Sequence, residues 1–181
     1  EQTMLREQIQ KFCESEYDFY KREDVVKSVQ DFDAKAWSLF AEQGWLSMPF
    51  SEESGGFGFG AVELSVLFEE FGKALVIEPY LATVVLSGTL LDKSNYANKV
   101  EVIESICSGM SHVSLAYSET AKSYDYLSPQ TTLSEDGLKL NGTKTLVLNG
   151  RNASKLIVTC KKGNDFALVI VDADQEGVSL N

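Results

Sequence analysis

Residues 136–150 read Asp136-Gly137-Leu138-Lys139-Leu140-Asn141-Gly142-Thr143-Lys144-Thr145-Leu146-Val147-Leu148-Asn149-Gly150. Three turn dipeptides, Asp136-Gly137, Asn141-Gly142 and Asn149-Gly150, punctuate short apolar runs. Asp-Gly and Asn-Gly tolerate the positive φ angles that tight hairpins need, so the spacing predicts antiparallel β structure. The runs at 131–134, 138–140, 145–148, 155–160 and 166–171 are the predicted strands. Just upstream, Val113, Leu115 and Tyr117 alternate with small or polar residues, as on a half-buried strand.

Before Gly109 the period is helical. Met4, Leu5, Ile9, Phe12 and Cys13 predict a helix over 4–20. Asp33 suits the cap of a second helix over 33–43, with Trp37, Phe40 and Ala41 on one face and Gly44 at the terminating position. Residues 45–60, with Pro49, Ser51, Ser54 and four glycines, must be loop. A third helix over 62–75 carries Leu64, Leu67, Phe68 and Phe71 on one stripe. Pro79 opens a fourth that runs through Leu91, and Val100, Ile103, Ile106 and Cys107 mark a fifth. The expected fold is therefore α+β: an all-α domain at 1–111, then the start of an antiparallel β-barrel or sandwich at 112–181. Glu1 opens straight into a helical pattern with neither initiator Met nor signal peptide, and Gly177 to Asn181 resemble a strand just beginning. The expectation is a piece of a longer protein.

Composition narrows the function. Apolar residues at 44% and charged residues at 24% belong to a globular domain with a real core. A net charge of −11 repels nucleic acid and anionic membrane surfaces, so neither is an expected partner. No apolar run is long enough to span a bilayer; the longest, Leu81 to Leu91, is interrupted by Thr83, Ser87, Gly88 and Thr89 and reads as a buried helix. Cys13, Cys107 and Cys160 have no metal or disulfide spacing and read as buried thiols of a cytoplasmic protein. The single histidine, His112, rules out a multi-histidine metal site, and its place at a strand entrance reads as structural.

Particular segments carry a family likeness. Leu39-Phe40-Ala41-Glu42-Gln43-Gly44-Trp45-Leu46, then Pro49 and the Glu53 to Gly58 loop, are similar to the helix-loop-helix of the acyl-CoA dehydrogenase family. Phe68-Glu69-Glu70-Phe71-Gly72 resembles the family's next helix. Leu115-Ala116-Tyr117-Ser118-Glu119-Thr120 resembles its first flavin segment, and Asn141-Gly142-Thr143-Lys144 its β hairpin. Within the family, Glu78 to Leu86 and Glu119 to Asp125 look most like the small subunits of heteromeric pimeloyl-CoA dehydrogenase-like enzymes.

The resemblance implies α,β-dehydrogenation of an acyl-CoA thioester with hydride transfer to FAD. It also implies a homo- or hetero-oligomer with a larger subunit, and an electron acceptor. The family's glutamate base comes from a C-terminal domain that would follow Asn181, so no catalytic residue is expected here. The likeness assigns cofactor contacts to Leu115, Tyr117, Ser118, Ser123, Leu146 and Leu148, and a substrate contact to Tyr124. A plain buried sheet edge is the alternative for these strand residues. Two departures stand out: Ser123 and Tyr124 replace a glycine and a serine, and Leu146-Val147-Leu148 replaces tryptophan-x-threonine. Lys122, Lys144 and Arg151 are read as surface cations or as diphosphate contacts. A chain ending at Asn181 has only part of one wall of the flavin site, so it is expected to hold no FAD by itself. A non-catalytic partner subunit of the same fold is the alternative to an enzyme.

Overall fold

The structure, a computed structural model, describes residues 2–28, 31–120 and 125–180. Its first half is helical: α1 Gln2–Glu16, α2 Phe19–Lys27, α3 Ala34–Glu42, α4 Ala61–Ala74, α5 Thr89–Asp92 and α6 Lys99–Cys107. The helix expected over 4–20 is broken. Tyr17 turns inward, 6% exposed, and Asp18 starts α2 by accepting hydrogen bonds from the Tyr20 and Lys21 amides at 2.9 and 3.0 Å. The second helix is as expected, with the Asp33 carboxylate capping the Lys35 amide at 2.8 Å and Gly44 left-handed beyond its end.

The core of this half is aromatic. Phe40 stacks on Phe71 at 4.9 Å between centroids, and Phe12 meets Trp45 edge-on at 5.1 Å. Such offset and edge-on contacts add to simple area burial. The glycine-rich loop is tied back on itself and to α5: Ser51 and Ser54 hydroxyls donate to the Asp92 carboxylate at 2.8 and 2.5 Å. α1 is joined to α4 by Arg6, which pairs with Glu69 at 2.7 Å and with the buried Glu70.

The segment after Pro79 is a π-helix, Leu81–Gly88, that runs into α5. Widened turns of this kind are rare and cluster at functional sites. Here Ala82, Thr83, Val84, Ser87 and Gly88 are all buried. The strands follow: β1 Val113–Ala116, β2 Thr132–Leu133, β3 Leu140–Asn141, β4 Lys155–Lys162 and β5 Asp165–Asp172. The helical-then-β order is as expected, but the sheet is mixed. β4 pairs antiparallel with β5, yet parallel with both β1 and β2, which lie end to end along its other side.

Only one of the three turn dipeptides closes a hairpin. Asp136-Gly137 turns β2 into β3. Gly142 serves close packing instead, because a Cβ there would fall 2.7 Å from the Thr131 Cβ. The strand expected at 145–148 is absent; Leu146 has φ +53°, and Asn149, at φ +56°, opens a short 3-10 turn over Gly150–Asn152. The long hairpin is closed by Gly163-Asn164, with Lys162 opposite Asp165 and Gly163 at φ +59°, the two-residue loop that favours Gly-Asn. Val113 and Ile157 join the helical core, which runs unbroken across the junction.

Candidate functional site

The site is built where the end of β1 meets the segment 144–152. The Thr145 amide donates to the Ser118 carbonyl at 2.8 Å, and the Thr145 hydroxyl to the Glu119 carbonyl at 2.8 Å. Those two bonds bring the 115–118 and 146–148 segments side by side, although some 30 residues separate them in the chain. Beneath them lies a buried ion pair. Lys144 Nζ donates to Glu119 Oε1 at 2.8 Å and to Thr159 Oγ1 at 2.9 Å, with side chains only 8% and 13% exposed for Lys144 and Glu119. Glu119 also accepts from the Gln130 and Thr131 amides at 2.6 and 2.9 Å, and from the Thr131 hydroxyl at 2.7 Å. Burial pushes the Glu119 pKa up, but these donors, led by Lys144, prevail and hold it down at about 2. Lys144 is thus engaged inside the protein, which excludes it as a surface cation.

The residues assigned from the resemblance fall unevenly. Leu115 is half-buried against the main core. Tyr117 is half-buried, with its ring edge-on to Tyr126 at 5.1 Å. Ser118 is half-buried with its carbonyl committed to Thr145. Leu146 and Leu148 are 83% and 50% exposed on the rim. Ser123 and Tyr124, with Ala121 and Lys122, lie outside the described residues. Among the described residues the amides of Leu146, Val147 and Leu148 have no hydrogen-bond acceptor. Leu146 holds a left-handed backbone that is strained for a residue with a Cβ. A rim of free main-chain donors fits the polar edge of a flavin ring, whereas its leucine side chains offer neither an aromatic wall nor a hydroxyl. The fit is through the backbone.

Beside this rim is a cleft of about 440 Å³ between the two halves of the molecule. Pro79, Leu81 and Ala82 at the start of the π-helix form one wall; Leu148 and Asn149 form the other. The Asn152 amide spans one end, donating to Asp31 at 3.1 Å and to Asn149 Oδ1 at 2.9 Å. Arg151 is exposed there, with no ion-pair or hydrogen-bond partner among the described residues. Glu78, 6% exposed, backs the cleft. Its Oε1 accepts from the Asp33 amide at 3.2 Å, while Oε2 has no partner among the described residues. Burial raises the Glu78 pKa and the nearby Asp33 charge adds to this, while the neighbouring Tyr17 hydroxyl and the Glu78 and Asp33 amides oppose it.

His112 is structural, as its position suggests. Its ring lies 4.9 Å from Phe32 and 4.8 Å from Trp37, its Nδ1 is buried without a partner among the described residues, and burial lowers its pKa. The ion pair, the strained rim and Glu78 were not legible as a site. The Glu119 to Lys144 separation of 25 residues has no period that links two side chains.

A helical domain leads into a β sheet, with a cleft and free backbone donors at their junction. Residues 1–111 match the acyl-CoA dehydrogenase N-terminal domain and residues 114–181 its middle domain, so the chain belongs to the acyl-CoA dehydrogenase family. Acyl-CoA dehydrogenase FadE29 of Mycobacterium tuberculosis (strain ATCC 25618 / H37Rv) is 26% identical over 144 residues, 75% of this chain and 37% of that protein. A variant of the Tcur3481-Tcur3483 steroid ACAD superposes with a TM-score of 0.88 at 26% identity, covering 97% of this chain and 49% of that one. The ChsE4-ChsE5 complex from Mycobacterium tuberculosis has the same fold, with a TM-score of 0.88 at 23% identity over 99% of this chain and 49% of that chain. The chain spans half or less of the length of the relatives it matches. Among the described residues no helix is long and apolar enough to cross a membrane.

Proposed function

We propose that the chain contributes the helical domain and part of the flavin wall of an FAD-dependent acyl-CoA dehydrogenase subunit, the two domains dividing at 111/112. The observation that carries this is the Ser118–Thr145 pairing, which sets the unpartnered amides of Leu146 to Leu148 beside the cleft. When bound, FAD supplies the hydride acceptor for oxidation of the α,β bond of an acyl-CoA thioester. In this reading the 146–148 amides and the Ser118 hydroxyl hold the ring edge, with Leu115 and Tyr117 behind it. Ser123 contacts the cofactor and Tyr124 the thioester. The acyl tail lies between Leu81, Ala82 and Leu148, whose side chains offer it apolar surface. No residue of this chain is assigned as the base, which is proposed to come from elsewhere in the assembly.

The likeness to a two-component assembly supports a second, larger subunit as partner, with a separate electron acceptor. The three free thiols, Cys13, Cys107 and Cys160, support a cytoplasmic setting. The narrower likeness to pimeloyl-CoA enzymes rests on sequence alone. The rival reading is a non-catalytic subunit of the same fold, favoured by the leucines at 146 and 148 and by the commitment of Lys144 to Glu119. Full-length protein purified alone and with its partner decides. Flavin absorbance and acyl-CoA-dependent reduction of an electron acceptor are the expected outcome. A protein that never carries flavin in either preparation overturns the enzyme reading, and FAD turned over by the isolated subunit removes the rival.

A further inference from the structure

Leu146 is an exposed residue with a Cβ, yet it holds a left-handed backbone at φ +53°. Such a conformation is unfavourable by itself and persists only where the surroundings fix it from both sides. On the downstream side Val147 packs against the small cluster of Ala116, Leu156 and Val158, and its carbonyl accepts from the Gly150 amide at 3.1 Å. On the upstream side the anchor is Thr145, whose amide and hydroxyl bind the carbonyls of Ser118 and Glu119, each at 2.8 Å. Thr145 is itself exposed, so its hold on Leu146 is only as firm as the two carbonyls it grips.

Those carbonyls are fixed in turn by the Glu119 side chain. Its carboxylate ties the stretch just after β1 to the Gln130 and Thr131 amides just before β2, at 2.6 and 2.9 Å, and to Lys144 at 2.8 Å. Lys144 also donates to the Thr159 hydroxyl of β4 at 2.9 Å. Because Lys144 immediately precedes Thr145 in the chain, one ion pair fixes both sides of the Thr145 clamp. The two side chains are nearly covered, 8% and 13% exposed, so they act on the rim through the backbone and not by contact with a ligand. A strained turn lowers stability, and the bonds that enforce it do so without return unless a ligand uses the turn.

We propose that Glu119 and Lys144 are positioning residues for the cofactor: acting through Thr145, they hold Leu146 in its left-handed form and keep the amides of Leu146 to Leu148 available as donors. The proposal rests on the reading of this rim as a flavin wall. Cofactor affinity then depends on an ion pair beneath the rim as well as on the rim itself.

The test is fluorescence titration of FAD into the full-length protein, freed of flavin and in its native assembly, well below the melting temperature of each variant. Thr145→Val removes one exposed hydrogen bond and leaves the ion pair intact; FAD should bind about fivefold more weakly, while Thr145→Ser keeps the hydroxyl and should bind as the unaltered protein does. Thr131→Val takes one donor from Glu119 without stranding its charge and should weaken binding about threefold; Lys144→Met should weaken it about tenfold. If Lys144→Met fails to fold, Thr131→Val decides for the ion pair. Leu146→Asn, whose side chain tolerates the left-handed form, should recover most of the loss when added to Thr145→Val. A merely structural pair would lower the melting temperatures and leave the dissociation constant unchanged, and that result overturns the proposal. So does a loss in Thr145→Val that Leu146→Asn leaves untouched, since the clamp would then not act through Leu146. Either result leaves the flavin reading standing, whereas an unaltered assembly that binds no FAD overturns that reading and the proposal together.

Discussion

Two buried glutamates flank the candidate site, and they stand on opposite terms with the fold. Glu119, at the end of β1, receives Lys144, two main-chain amides and the Thr131 hydroxyl, and its pKa is held at about 2. Glu78, at the foot of the π-helix, is more deeply buried, yet one of its oxygens has no partner among the described residues and its pKa is raised. The residue type is the same; burial and the supply of donors differ. A buried charge with a complete set of partners acts as a strut, and removing one partner is costly. A buried carboxyl with an incomplete set destabilises the fold and persists where function uses it. The contrast separates a carboxylate that the fold supplies with a full set of donors from one that it does not.

The largest test of the contrast is Lys144→Met. Stranding the Glu119 carboxylate should cost about 3–5 kcal/mol in a denaturant melt. A loss below about 1 kcal/mol, the scale of a surface pair, would break the strut reading. The pH dependence follows in sign. With its folded pKa depressed from 4.5 to about 2, Glu119 contributes stability above pH 4.5 that is lost as pH falls toward 2. Lys144→Met should therefore show a shallower acid limb than the unaltered protein.

Glu78→Gln should act in the opposite sense and more weakly, stabilising the fold by about 1 kcal/mol at neutral pH by removing an unmet buried charge. A raised folded pKa means that the contribution of Glu78 is present below pH 4.5 and lost as pH rises through the folded value, so the advantage of the variant should vanish in acid. A variant less stable than the parent at neutral pH would show that Glu78 is a strut after all. His112 sharpens the comparison from the apolar side of the junction. Burial lowers its pKa below 6.5, so its contribution is lost as pH falls from 6.5 through the folded value. As the only histidine, it gives one imidazole signal by NMR, whose titration midpoint should lie below 6.5. The smallest effect expected is Leu146→Gly, a gain of about 0.5 kcal/mol, as relief of a left-handed backbone is set partly against chain entropy.

Local signals in the chain were read well where both ends of an element carried its chemistry. α3 is the clearest case, with an aspartate cap at Asp33, an apolar face at Trp37 and Phe40, and Gly44 at its end. The same local chemistry is present at Asp18, a cap set among aromatic residues, and at Gly163-Asn164, a two-residue turn between two strands, neither of which the apolar periodicity marks. The segment 145–148 misled for a different reason. Its apolar run looks like a strand, but Thr145 spends its donors on Ser118 and Glu119, and no neighbour offers a ladder.

What the sequence determined by itself is the helical-then-β order, the Asp33 cap and Gly44 end of α3, and membership of the acyl-CoA dehydrogenase family, because each rests on residues close together in the chain or on segments matched in order. What only the tertiary structure decided is which strands pair, where the charges meet and where the orphaned atoms lie. β4 runs parallel to β1 from more than 40 residues away, Lys144 finds Glu119 across 25, and Glu78 shares a cleft with Asn149 from the other half of the molecule. Hydrophobic burial is non-directional and selects no particular distant partner, so such pairings are chosen by geometry once the layers have packed.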